Sequence, residues 1–220
     1  MIVKIPGING LGKTNGVEKA PDLITDSPNE IKVDNANVKD QQKTIYENAL
    51  KYFNDRVVFI GGDHSISYST CRAFLEKYKN PCLIVFDAHA DCMDPMEEPT
   101  HEEWLRALGF SDVLMIGVEK IEKEENDYIK QKGIKLTKDL EEIKEFIKGK
   151  NVYVSIDIDV LDVKSTGYPE GKMSEDEFMK ILDVILEGDV KACDLVEYNP
   201  DKEDGKTLAL CKRILKKITL

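Results

Sequence analysis

No run of about 18 apolar residues occurs in this 220-residue chain, so no segment reads as a membrane-spanning helix. The opening MIVKIPGING lacks an apolar signal region and a small-residue cleavage site. Cys71, Cys82, Cys92, Cys193 and Cys211 are odd in number and scattered, with no C-x-x-C, which argues against a disulfide framework. The expected location is a reducing cytoplasm. Basic residues are also short, 31 Lys and Arg against 42 Asp and Glu, for a net charge of -11. That balance disfavours nucleic acid and anionic membranes as partners and suits cationic substrates or metal ions, although surplus acid is most often a solvated surface. Internal repeats, low-complexity tracts and linkers are missing, so residues 1–220 read as one domain.

What is present is alternation. MIVKI, RVVFIGG, PCLIVFDAHAD, DVLMIGV, NVYVSIDIDVLD and KACDLVEYNP are apolar runs of strand length separated by segments of helical period. Such β/α alternation predicts a three-layer α/β/α fold around a mostly parallel sheet. In MSEDEFMKILDVILEG, Ser174 and Glu177 have capping-box spacing, and Phe178, Ile181, Leu182 and Ile185 make one apolar stripe. Ile45, Ala49 and Phe53 form another, as do Leu208, Cys211, Leu215 and Ile218 near the C-terminus. The polar residues 25–40 read as a surface connection.

Gly7 to Thr14, GINGLGKT, satisfies the phosphate-loop pattern G-x-x-x-x-G-K-[ST]. A phosphate loop needs a helix starting at its Lys-Thr, whose N-terminal amides help hold the phosphates. Here Asn15-Gly16 and Pro21 follow; interior Gly costs about 1 kcal/mol and interior Pro about 3 kcal/mol relative to Ala. The expectation is a flexible Gly-rich loop near a substrate entrance, holding no phosphate.

The chemistry collects at strand ends. FIGGDHS ends in Asp63 and His64, LIVFDAHAD in Asp87, His89 and Asp91, and VSIDIDVLD in Asp157 and Asp159. Ligand sites of open parallel sheets form at the carboxyl ends of the strands. If extended backbone continues through these residues, period two projects Asp87, His89 and Asp91 to one side, and likewise Asp157 and Asp159. Acids gathered so closely need cations to stay ionised. Carboxylate oxygens with two imidazoles and no thiolate fit a hard or borderline divalent ion such as manganese. Two ions sharing bridging carboxylates use this set economically and would hold a hydroxide nucleophile. A lone Asp after a strand is more often a turn or cap residue, which is the reading for Asp63, Asp94 and Asp162.

These residues resemble the ureohydrolase family, which includes arginases and agmatinases. The resemblance rests on GGDHS, DAHAD and SIDIDVLD in the family's order, with GVEKAPDLI before them and DLVEYNP after them. It implies hydrolysis of a guanidino compound to urea and an amine with two Mn2+ per subunit. His64, Asp87, Asp91 and Asp157 would bind one ion and Asp87, His89, Asp157 and Asp159 the other. It further implies that Asp91 orients the bridging hydroxide, that Glu197 pairs with the substrate guanidinium, and that His101 shuttles protons, although Glu102 follows His101 where the family usually has Gly.

For the substrate, Met93 stands where arginases carry an Asn that helps recognise the amino-acid end, and Pro169-Glu170-Gly171 is similar to a segment of agmatinases. Agmatine is therefore the expected substrate, with Met93 and Glu170 beside it. The chain is several tens of residues shorter than typical members, and members are often trimers or hexamers. The alternatives are an arginase or another guanidino-acid hydrolase, a metal-dependent deacetylase-like amidohydrolase, and a non-catalytic metal-binding homologue.

Overall fold

A computed structural model describes all 220 residues. In chain order the elements are β1 (Ile2–Ile5), α1 (Ala20–Ile24), α2 (Val38–Tyr52), β2 (Val57–Gly61), α3 (Ile66–Lys77), β3 (Pro81–Phe86), α4 (Trp104–Leu108), β4 (Val113–Ile116), α5 (Lys123–Lys132), β5 (Lys135–Leu136), α6 (Leu140–Ile147), β6 (Asn151–Asp157), α7 (Glu175–Leu186), β7 (Asp189–Val196) and α8 (Thr207–Thr219). The seven strands form one sheet in the order β1-β2-β7-β6-β3-β4-β5. Every pairing is parallel.

Strand side chains alternate between two cores, as period two requires. Val58 and Ile60 pack with α1, α6, α7 and α8 on one face. Val57 and Phe59 pack with α2, α3, α4 and α5 on the other. Burial on both faces explains why the central strands read as unbroken apolar runs.

Helix α7 starts at Ser174, whose side chain accepts the Glu177 amide at 3.2 Å. Its stripe Phe178, Ile181, Leu182 and Ile185 is buried, each side chain contributing about 1.5–3 kcal/mol. In α8 the stripe differs from the expected one: Leu208 is only half-buried, while Leu210 and Ile214 join Cys211, Leu215 and Ile218 in the core.

Residues 25–40 do more than connect. The Lys4 amide donates to Asn29 O and the Ile31 amide to Lys4 O, both at 2.9 Å. This covers the outer edge of β1, which would otherwise expose unpaired backbone groups. The four central strands, β2, β7, β6 and β3, lie side by side, so their carboxyl ends bring residues 61–64, 87, 157 and 197 to one rim.

Candidate metal centre

The carboxylates converge by turns rather than by strand period. Strand β3 stops at Phe86, and β6 stops at Asp157 and passes into a 3-10 turn over Ile158–Val160. In both places an Asp side chain folds onto the backbone two residues on. Asp87 Oδ1 accepts the His89 amide at 2.7 Å, and Asp157 Oδ1 accepts the Asp159 amide at 2.8 Å. Asp91 is turned inward by a left-handed backbone, φ 49°, and Glu197 by another, φ 66°. Non-glycine residues in this region cost of order 1–3 kcal/mol and cluster at functional sites. The side chains that the period-two expectation grouped are thus brought together by turns and not by continued extended backbone.

At the centre stands His64, 1 % exposed. Its Nδ1 lies 3.1 Å from Asp87 Oδ2, 3.1 Å from Asp91 Oδ2 and 3.2 Å from Asp157 Oδ2. None of these contacts is aligned as a hydrogen bond, and His64 Nδ1 and Asp87 Oδ2 are both buried without a partner. The ring nitrogen thus faces the space between three oxygens. A second group adjoins it: His89 Nδ1 lies 2.9 Å from Asp159 Oδ2 and 3.6 Å from Asp87 Oδ1. Asp87 belongs to both sets: the ligand atoms of His64, Asp87 and Asp157 lie within 4.8 Å of one another, as do those of Asp87, His89 and Asp159, while Asp91 stands outside both groups and Asp157 joins only the first. Buried polar atoms are normally hydrogen-bonded, and buried charges paired or metal-bound. This donor set fits divalent cations.

Without cations the cluster holds itself together with protons. Burial opposes charge on His64, but Asp157, Asp87 and Asp91 outweigh it and raise its pKa well above the ordinary value. Burial likewise opposes charge on His89, and Asp159 and Asp87 lift it to about 12. Asp91 is pushed up to about 7 by burial and by Asp87. Asp157 and Asp159 rise by burial and neighbouring carboxylates. Asp87, though fully buried, is held below its usual range by the two imidazoles. A cation would take the place of these protons.

A buried relay orients His64. Ser155 on β6 and Asp194 on β7 are register partners, and Ser155 Oγ donates to Asp194 Oδ1 at 2.7 Å. With its proton so placed, Ser155 Oγ accepts from His64 Nε2 at 2.9 Å. In a neutral ring the Nδ1 lone pair is then directed at the carboxylates. Asp194 Oδ2 accepts from Tyr153 and Ser67 hydroxyls, each at 2.7 Å. Trp104 supports the other side: its Nε1 donates to Asp91 Oδ2 at 2.8 Å, and its ring packs 4.8 Å from the His64 ring. Ser155 and Asp194 lie within SIDIDVLD and DLVEYNP, but no local spacing assigns them a role. The available signal was a polar residue inside the buried apolar stretch of each strand, residues 152–156 and 192–196.

The remaining expected residues line one cavity of about 230 Å³, which includes Met93, His101, Glu170 and Glu197 together with Lys120, Glu122 and Tyr168. Glu197 Oε1 accepts the His64 amide at 2.9 Å, and burial followed by Asp63 raises its pKa well above the usual carboxylate range. His101 is 7 % exposed, with neither ring nitrogen hydrogen-bonded. It stacks on Tyr168 at 6.1 Å, and burial lowers its pKa. Glu170 Oε2 reaches 3.5 Å from His89 Nε2. Asp94 instead pairs with Arg106 outside the cluster. Cys92 is buried, and burial raises its thiol pKa far above the ordinary value, as for an inert core thiol.

The Gly7–Thr14 segment lies beside this cavity and is tied down rather than loose. Asp63 Oδ2 accepts the Asn9 amide at 2.7 Å and the Thr14 hydroxyl at 2.8 Å. Asp63 Oδ1 accepts the Ser65 amide at 3.1 Å, the turn role expected of it. No helix starts at Lys13; residues 11–16 form turns, and Pro21 sits in the first turn of α1.

With this geometry in hand, comparison with known proteins is direct. Residues 13–220 match the arginase family. The chain is 31% identical over 188 residues to arginase 1, mitochondrial, of Oryza sativa subsp. indica, covering 74% of this chain and 54% of that protein. It is 34% identical over 158 residues to the agmatinase of Halalkalibacterium halodurans, covering 64% and 55% respectively. The chain thus spans about half the length of the curated relatives it matches. Among solved structures, the arginase of Bacillus caldovelox superposes with a TM-score of 0.87 over 99% of this chain and 96% of its own at 21% identity, which establishes the shared fold.

Proposed function

This chain belongs to the arginase family, and from that premise we propose that it is a binuclear metal hydrolase cleaving agmatine to urea and a diamine, with two manganese ions. The observation that carries the reading is His64 Nδ1, buried without a hydrogen-bond partner and within 3.2 Å of three carboxylate oxygens. His64, Asp87, Asp91 and Asp157 would hold one ion and Asp87, His89, Asp157 and Asp159 the other. When bound, the two ions supply a water nucleophile active near neutral pH and positive charge beside the reacting carbon.

The chain's own groups do the rest. Glu197 has one oxygen engaged by the His64 amide; its other oxygen is left for a guanidinium N–H, and its raised pKa favours ionisation only when a cation arrives. Asp91, fixed by the Trp104 indole, orients the attacking water. His101 is held neutral by burial with both nitrogens free, so it can accept a proton and pass it to the leaving amine. Holding these groups around the guanidinium lowers the entropic part of the barrier.

Agmatine is favoured by the cavity wall. Met93 offers no hydrogen bond to an amino-acid end. The wall's one lysine, Lys120, is outnumbered by the wall's glutamates, so the lining favours a cation over a carboxylate. The acidic lining suits an ammonium tail instead. A urea assay on the manganese-loaded protein against agmatine, arginine, other guanidines and acetylated amines tests the proposal, with Asp157→Ala as control. Urea from agmatine in preference to arginine is expected; release of acetate but no urea would transfer the chemistry to amides.

A further inference from the structure

Lys13 and Glu102 take no part in the reaction outlined above, yet they meet at the cavity mouth. Lys13 Nζ lies 2.7 Å from Glu102 Oε1. Glu102 lines the cavity, directly after His101 in the chain, and its Oε1 is 3.8 Å from His101 Nε2. The His101 ring, buried with two unpartnered nitrogens, opens onto the same space.

The backbone on both sides is fixed. The segment carrying Lys13 is pinned to Asp63 at Asn9 and Thr14, and between the pins it arches outward through Leu11 and Gly12, both at positive φ. Glu102 O accepts the Met93 amide at 3.2 Å, and its own amide donates to Thr100 Oγ1 at 3.2 Å. The Glu102 backbone is therefore held in place, and its carboxylate meets the Lys13 ammonium through two flexible side chains.

Other acids at the mouth are committed elsewhere. Glu125 accepts the Cys92 and Glu122 amides, Glu122 caps α5, and Glu170 faces His89. Glu102 holds a primary ammonium on a four-methylene chain at 2.7 Å, the same group that an aminobutyl guanidine carries at its far end, whereas the Lys120 ammonium stays 3.7 Å from Glu122. The pair is about half exposed, 48% and 42% for the two side chains, and ion pairs so exposed are weak enough to exchange.

We propose that Glu102 is the anchor for the distal ammonium of the substrate and that Lys13 occupies this anchor in the free protein as an internal competitor. The inference rests on the guanidine-hydrolase reading and adds to it the residue that selects the tail. On binding, the substrate ammonium replaces Lys13 on Glu102, and the guanidinium end reaches Glu197.

The test compares agmatine with n-butylguanidine, which has the same chain but no ammonium, on the manganese-loaded protein. In Glu102→Gln the ratio of kcat/KM for agmatine over n-butylguanidine is expected to fall about tenfold or more. In Lys13→Met the KM for agmatine falls and that ratio rises. A readout independent of turnover is acylation of Lys13, followed by mass spectrometry: agmatine should raise its reactivity and n-butylguanidine should not. An unchanged ratio in both variants, with both guanidines weakened alike, would make the pair a simple loop clasp and overturn the inference. Absence of urea from either guanidine in the unsubstituted protein would instead sink the functional reading itself.

Discussion

Ser155 and Asp194 face each other across β6 and β7, and the serine hydroxyl donates to the carboxylate at 2.7 Å while accepting from His64 Nε2 at 2.9 Å. This pair decides which nitrogen of His64 is free to meet a cation. Asp194→Asn and Ser155→Ala should each lower Mn2+ affinity about 10–100-fold, the usual effect of removing a partner behind a ligand. Titration calorimetry measures it, and circular dichroism separates it from unfolding. Unaltered affinity in both variants would show that packing alone orients the ring.

Protons held by the metal-free cluster give stability a pH dependence of definite sign. Asp91 is raised from 3.8 to about 7, and Asp157, Asp159 and Glu197 move the same way. The native state then keeps protons that the unfolded chain releases, so stability falls as pH rises through these values. His64 and His89 are also raised, and their contribution is lost as pH climbs above the ordinary histidine value. Acids held low, such as Asp204 at about 2, act only at more acidic pH. In chelator, the melting temperature should decline from about pH 5 to about pH 8, and saturating Mn2+ should reverse the trend.

Trp104 is the single tryptophan of the chain, and it touches both His64 and Asp91. Its fluorescence should therefore change saturably as Mn2+ binds, and the change should be weakened in Asp157→Ala. Trp104→Phe keeps an aromatic ring but removes the donor to Asp91 and part of a fully buried side chain; a stability loss of about 1–3 kcal/mol or more is expected in denaturant titrations.

Thr14 offers a direct check on the Gly-rich segment. Thr14 is 1 % exposed, and Thr14→Val takes one donor from the buried Asp63 carboxylate, which should cost about 1–3 kcal/mol. Neither the parent protein nor Lys13→Ala should bind ATP or GTP in equilibrium dialysis. Nucleotide binding lost on substituting Lys13 would restore the phosphate-loop reading.

Much of this architecture could be read locally. Apolar runs between helical periods give the alternating elements, and the capping-box spacing of Ser174 and Glu177 gives the start of α7, where the serine cap forms. Strand β5 could not be read that way, because two exposed residues, Lys135 and Leu136, carry no period. The inward turn of Asp91 was equally hidden, since no local pattern marks an aspartate at positive φ and only the fold brings it to Trp104 and His64.

By itself, then, the sequence determined which side chains end the strands, in what order, and that acids with two imidazoles and no thiol call for hard cations. Chemistry and short-range periodicity are local properties, so they survive in a linear string. The tertiary structure alone decided that β2, β7, β6 and β3 lie side by side, so that residues distant in the chain share one rim. It also decided the fate of GINGLGKT. Its amide and hydroxyl do hold an anion, but that anion is Asp63, and its lysine rests on Glu102. Which partner a loop finds depends on what the fold brings to it, and no spacing within the loop encodes that.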